Sequence, residues 1–494
     1  MPLTKIVCTL GPATESPETL RAMIRAGMTV ARLNFSHGSE ANKREMVARV
    51  RQVAQEEGRY VALMGDLQGP KIRVGTLPPE GMLLKEGAEV VLTADPVTDP
   101  EREIPFPHPD IITDIRLDDR ILMDDGALEL EAIAIAPPRV HCRVHVGGVL
   151  TSNKGVNLPG TKLQIPALTD KDRDDACLAL ELGLDYLALS FVRQARDVEE
   201  LRAFLGVQHD KQNRDPGENP HHLPALVAKI EKPEALADLE AIVRISDAVM
   251  VARGDLGVEI APEQVPLVQK EIIRLCNRMS KPVITATQML QSMIDSPRPT
   301  RAEASDVANA ILDGSDAVML SGETSVGKYP IEAVRMMAKI AENVERSASF
   351  PYRQLLDIQD DGTQASTQRL ISRAISRATV EIAEECNATA ILTSTESGRT
   401  ARTVARHRPR VRLIAATPFV ETARRMQLVW GVTPVLVDPF HDTDQMIHTM
   451  VQAAVSCGYA EVGREVVLTA GIPFEVHGVT NMLKVHTVRA EDLR

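Results

Sequence analysis

Two carboxylates leave successive apolar runs of this chain at corresponding points. Glu231 follows the run LVAKI at 226–230, and Asp255 follows AVMVAR at 248–253 and a glycine. Lys229 stands two residues before Glu231, so on an extended strand both side chains point the same way. Acids placed like this offer hard oxygen donors to a divalent cation, and the neighbouring ammonium adds positive charge for an anionic substrate. One strand-end acid would read as a solvated surface charge. Two acids on neighbouring strands with a lysine beside one read as a site.

The segment between the acids explains how they are positioned. From Pro233 to Ile245 the apolar residues Leu236, Leu239, Ile242 and Val243 fall on one helix face, and the proline suits a first helical turn. The unit reads strand, helix, strand, which builds parallel sheets with their ligands at the C-terminal rim of the strands.

Such strands recur. Three precede residue 70, at 5–10, 30–35 and 60–67, and five more fall at 186–189, 226–230, 249–252, 283–286 and 317–320. Eight strand–helix units close into a barrel. Residues 69–160 break the pattern with prolines, glycines and alternating strands such as 89–93 and 139–146, and no strong helical pattern. After residue 346 come strands near 390–393, 411–415, 435–437, 466–469 and 484–488, with a helix over 367–386. The expected architecture is α/β: a (β/α)8 TIM barrel (1–70 and 161–345), an inserted all-β lid domain (71–160) and a C-terminal α/β domain (346–494). The polar stretch 209–224 is expected to be a surface loop.

Composition narrows the function classes. The chain has 494 residues and a formal net charge of −12, with aromatics at 3%. That disfavours nucleic-acid binding and acidic membranes, so an anionic substrate needs local positive charge. The six cysteines are scattered without metal-ligand spacing, as in a reducing compartment. No leader-like segment or bilayer-length apolar run is present, so a cytoplasmic protein is expected.

Several longer motifs extend the reading. TKIVCTLGPAT (4–14), ARLNFSHG (31–38), KGVNLPG (154–160), MVARGDLGVEI (250–260), TQMLQSM (287–293), PRPTRAEASDVANA (297–310) and MLSGET (319–324) resemble the pyruvate kinase family, in family order along nearly the whole chain. The resemblance implies phosphoryl transfer from phosphoenolpyruvate to ADP, giving pyruvate and ATP. It implies Mg2+ or Mn2+ on Glu231 and Asp255, with Lys229 facing the transferring group and Arg32 the phosphate. Gly254 and Asp255 would offer backbone N–H groups to the substrate carboxylate. Thr287, Ser321 and Glu323 would serve the proton relay, and Asn34, His37, Arg73 and Lys154 the nucleotide. A homotetramer is implied as well. A metal-dependent aldolase or lyase working on an enolate and a non-catalytic metabolite sensor are the competing readings; the lid, with Arg73 and Lys154 at its junctions, favours phosphoryl transfer.

Two segments carry further expectations. Potassium-dependent members resemble DTKGPEIR where this chain has DLQGPKIR (66–73), so Lys71 replaces a glutamate. The family's K+ would be held by Asn34, Ser36, Asp66 and the main chain of Leu67. An ammonium supplies the same unit charge and repels a cation, so little or no K+ requirement is expected. TESGRT (395–400) follows a strand and opens a helix. By resemblance, Thr395, Ser397, Gly398, Arg399 and Thr400 would bind a phosphorylated allosteric effector; fructose 1,6-bisphosphate, AMP and a sugar monophosphate all fit. GETSVGK (322–328) mimics a phosphate-binding loop, but Tyr329 stands where a small hydroxyl is needed.

Overall fold

The computed structural model describes residues 2–211, 223–350, 367–472 and 480–493. Eight parallel strands close into a barrel: Lys5–Thr9, Val30–Asn34, Ala62–Asp66, Tyr186–Leu189, Ala225–Ile230, Ala248–Ala252, Val283–Ala286 and Ala317–Leu320. They are called here barrel strands one to eight. Every second residue points inward. Val7, Val30, Met64, Ala188, Val227, Met250, Ile284 and Met319 pack the interior, and the outward residues join the helices in the largest core. Both faces are apolar because both are covered.

The inserted region forms a six-stranded, mostly antiparallel sheet around its own core, with a two-stranded ribbon of Met82–Leu84 and Gly148–Leu150. Sequence reading expected only strands here, yet a short helix, Pro109–Asp114, is present. Its proline at the first turn and the buried pair Ile111 and Ile112 seat it on the sheet, and six residues are too few for a periodic signal. The helix expected over 233–245 is divided into Pro233–Ala237 and Leu239–Ile245. Asp238 interrupts it because its carboxylate accepts the Ala195 N–H at 2.7 Å. Of the stretch read as a loop, His209 to Lys211 end the helix Ala195–Lys211, and 212–222 lie outside the described residues.

The C-terminal sheet runs Val432–Leu436, Arg412–Thr417, Ala390–Ser394, Glu465–Ala470 and Met482–Thr487, the last strand antiparallel. This domain closes the barrel floor. Leu428 packs into the barrel interior, a burial worth about 1.5–3 kcal/mol. Arg408 crosses to the barrel: it pairs with Asp316 at 3.0 Å, donates to Asn277 at 3.1 Å and lies 4.9 Å over the Trp430 ring.

Aspartates just before strands four, six and eight tie the floor together. Asp185, Asp247 and Asp316 accept the N–H of Leu63, Leu226 and Val283, each at the foot of a neighbouring strand. Asp185 also meets Arg51 and Arg424, and Asp247 meets Arg202. These acids serve register, unlike those at the rim.

His407 lies beside this floor. It is 4% exposed, and neither ring nitrogen finds a hydrogen-bond partner among the described residues. Burial, with Arg406, Arg377 and Arg373 nearby, lowers its pKa to about 3. The unfolded chain protonates this histidine near its ordinary value of about 6.5. Its contribution is therefore complete above pH ~6.5 and falls by up to about 1.4 kcal/mol per unit as pH drops toward 3. Urea unfolding across this range should show that slope, and His407→Gln should flatten it; an unchanged slope in the variant would contradict the assignment.

Candidate active site

The alternation that packs the barrel interior also builds the site. One step beyond the inward apolar residues, the strands turn polar: Val7 leads to Thr9, Val30 to Arg32, Met64 to Asp66, Ala188 to Ser190, Val227 to Lys229 and then Glu231, and Met319 to Ser321. These residues meet at the C-terminal mouth. A cavity of about 340 Å³ there is lined by Arg32, Asn34, His37, Lys229, Asp255, Thr287 and Ser321, among others.

Lys229 is 8% exposed. Its ammonium lies 2.7 Å from Glu231 Oε1, 3.2 Å from Asp66 Oδ1 and 2.7 Å from Ser190 Oγ. Burial works against this charge, but Asp66, Glu231 and Asp255 outweigh it and raise its pKa. Asp66 is held below the usual carboxylate range: burial would raise it, and Arg32 and Lys229 more than offset that. Arg32 donates to Asp66 Oδ2 at 2.6 Å and to Thr9 Oγ1 at 2.9 Å.

Glu231 is 1% exposed and accepts the Phe191 N–H at 2.8 Å. Burial pushes its pKa up against the pull of Lys229, and the Asp255 charge adds to the rise. Two carboxylates that raise each other's energy, one buried and one exposed at the cavity edge, are a donor set that a divalent cation relieves. Among the described residues no cluster of three acids, histidines or cysteines could hold a metal ion; an ion on Glu231 and Asp255 would have to draw further ligands from substrate and water.

Thr287 follows strand seven with φ +68°, and Gln288 follows with φ +55°. A β-branched residue in this region is strained by about 1–3 kcal/mol. Arg253 holds it by donating to the Thr287 carbonyl at 2.8 Å while pairing with Asp306 at 2.7 Å. The Thr287 hydroxyl accepts the Gly254 N–H at 2.7 Å, so that N–H, expected to face a substrate carboxylate, is already engaged. A Cβ on Gly254 would meet Thr287 Oγ1 only at 3.4 Å, an ordinary contact. The protein's own packing therefore does not demand glycine there.

Other expected residues are placed less centrally. Glu323 does not line the cavity. It is fully buried, and its oxygens accept the N–H groups of Leu290 and Ser321 at 3.0 and 2.7 Å. It fixes the Ser321 backbone rather than presenting a proton. Ser321 Oγ is buried without a hydrogen-bond partner among the described residues. Arg73 and Lys154 lie at the root of the inserted region, where Arg73 bridges Gly155, Arg73 Nη1 donates to the Asn153 carbonyl at 3.0 Å and Lys154 pairs with Asp124 at 2.7 Å. Neither lines the cavity. Lys71 is exposed. The phosphate-loop mimic is the loop after strand eight, with exposed Lys328 paired to Asp295 at 2.8 Å. Sequence reasoning assigned no role to Thr9 or Ser190; strand parity was the signal that could have found them.

A family model described as "Pyruvate kinase, barrel domain" matches residues 1–334, and one described as "Pyruvate kinase, alpha/beta domain" matches 373–486. The chain belongs to the pyruvate kinase family. It is 46% identical over 491 residues to "Pyruvate kinase 2" of Synechocystis sp., covering 99% of this chain and 79% of that one. It is 44% identical to the pyruvate kinase of Geobacillus stearothermophilus, covering 98% and 80%. A crystal structure of a pyruvate kinase from Cryptosporidium parvum superposes with a TM-score of 0.89 at 35% identity, covering 98% of this chain and 96% of that one. The chain is thus an enzyme, a phosphotransferase of the pyruvate kinase family, which works on phosphoenolpyruvate and ADP with a divalent metal. No helix among the described residues is long and apolar enough to cross a membrane.

Lys229 is the cation most enclosed by this site's acids. Replacing it with methionine should lower kcat by about 10³- to 10⁵-fold, roughly 4–7 kcal/mol of barrier, in a steady-state assay of pyruvate formation. A loss below tenfold would remove Lys229 from the transition state.

Proposed function

We propose that the barrel mouth moves the phosphoryl group of phosphoenolpyruvate onto ADP, giving pyruvate and ATP, with each role carried by the residues around Lys229. The observation that carries this reading is the buried Lys229–Glu231–Asp66 cluster, whose Lys229 lines a cavity together with Arg32, Asp255 and Thr287. Glu231 and Asp255 would hold Mg2+ or Mn2+, which supplies positive charge to the substrate carboxylate and phosphate. Arg32, braced by Asp66 and Thr9, presents its remaining donors to the phosphate. Lys229 has its three donors on Glu231, Ser190 and Asp66. It must release one to reach the transferring group, and Glu231, whose charge an ion would meet, is the partner that can let go. Ser321, whose hydroxyl has no partner among the described residues, and Thr287 line the same cavity and would pass the proton to the enolate. Asn34 and His37 line the same cavity and would take the nucleotide. Arg73 and Lys154 would join them when residues 71–160 close as a lid and exclude water.

The reading includes K+ independence. The atoms expected to hold K+ already have donors of the chain itself: Asp66 faces Arg32 and Lys229, the Leu67 carbonyl accepts Ser190 Oγ at 2.7 Å, and Asn34 Oδ1 accepts the Ser36 N–H at 3.0 Å. Lys71 would bring a further positive charge with the lid. Family membership supports a cytoplasmic homotetramer with a phosphorylated effector at the turn 395–400. There Gly398, at φ +79°, opens the helix Arg399–Ala405 and leaves no room for a side chain against Met426.

Initial rates of coupled ATP and pyruvate formation should be the same in K+ and in a bulky organic cation, and Lys71→Glu should create a K+ requirement. A wild-type rate that collapses without K+ would contradict the cation argument. Absence of pyruvate formation with metal and ADP present would contradict the function itself.

A further inference from the structure

Glu259 ends the helix Arg253–Glu259, whose first turn carries Gly254 and Asp255. Its side chain is 2% exposed, and it does not line the cavity at the barrel mouth. Yet one of its oxygens, Oε1, joins three separate pieces of the chain. It accepts Lys232 Nζ at 2.6 Å and Asn157 Nδ2 at 2.7 Å. Lys232 directly follows Glu231. Asn157 belongs to the inserted domain, in the short strand Val156–Asn157 that comes just after Lys154.

The other root of the inserted domain reaches the same place. Gly69 stands at φ +69°, and a Cβ there would meet the Phe191 ring at 2.6 Å. Phe191 is held at φ +57°, and its N–H is the one donated to Glu231. Lys232 lies 5.4 Å over the Phe191 ring. Further out, Gly126 of the inserted domain faces Val258 on the helix that Glu259 ends. Breaking a buried carboxylate away from such partners strands a charge or a polar group without its counterpart. The root of the lid, the segment after Glu231 and the helix behind Asp255 are therefore held in one arrangement.

We propose that Glu259 is a positioning residue: it clasps the inserted domain to the two segments that carry Glu231 and Asp255, so that the seating of the lid sets the spacing of those two acids. This role rests on the reading of Glu231 and Asp255 as metal ligands. Without Asn157, Glu259 is held by Lys232 alone and the lid loses its grip on both segments. Lid closure that carries Lys154 inward carries Asn157 with it, so nucleotide and metal are served by parts that share one oxygen atom.

Mn2+ titration of the full chain with phosphoenolpyruvate present, followed by water-proton relaxation, reads this without turnover. Glu259→Gln and Asn157→Ala should each weaken Mn2+ binding by about fivefold or more. Adding Asn157→Asp to Glu259→Gln returns a carboxylate to Lys232 and a hydrogen bond of reversed polarity to the clasp; this double variant should bind Mn2+ within about twofold of wild type. Asn157 is only half-buried, so Asn157→Ala keeps the test open where Glu259→Gln disturbs folding. Undiminished Mn2+ affinity in the single variants, or a double variant that binds no better than Glu259→Gln alone, would overturn the clasp while the wild-type chain still binds Mn2+ and forms pyruvate. A wild-type chain that binds no Mn2+ would instead overturn the ligand reading beneath it.

Discussion

An ammonium buried among carboxylates is the constraint around which the barrel mouth is organised. Burial works against the charge on Lys229, and Asp66, Glu231 and Asp255 around it outweigh that cost. Those acids would in turn be costly without Lys229 and Arg32. Two cations against three anions leave one negative charge, which a divalent ion held by Glu231 and Asp255 would reverse, making the mouth attractive to a substrate that carries both carboxylate and phosphate.

The barrel uses acids differently at its two ends. At the floor, Asp185, Asp247 and Asp316 bind strand N–H groups and the arginines packed beneath them, which fixes register and seats the C-terminal domain. At the rim, Asp255 lines the cavity, and Asp66 and Glu231 are buried against the Lys229 ammonium. A rigid floor lets the rim hold strained elements such as Thr287 at φ +68°. It also makes the C-terminal domain mechanically continuous with the strands that carry the site.

Much of this was legible in the chain itself. Short apolar runs, each followed by a helical pattern, marked eight barrel strands, and parity placed Lys229 and Glu231 on one side. Adjacency was not legible. Ser190 meets Lys229, and Thr9 meets Arg32, across neighbouring strands, a side-chain pairing that spacing along the chain does not give. Glu323 looked like a proton carrier beside Ser321, yet its side chain turns into the protein, a direction that sequence spacing does not define. Asp238 broke a helix through a bond to Ala195, a contact 43 residues away. Local pattern encodes elements; long-range charge neutralisation assembles the site.

The central claim is that Glu231 and Asp255 together hold the ion whose charge completes this mouth. Titration of the full chain with Mn2+ in the presence of phosphoenolpyruvate, followed by water-proton relaxation, measures that directly. The account predicts that Glu231→Gln and Asp255→Asn each weaken Mn2+ binding by more than about tenfold while the fold persists. Mn2+ bound with undiminished affinity in both variants would contradict it.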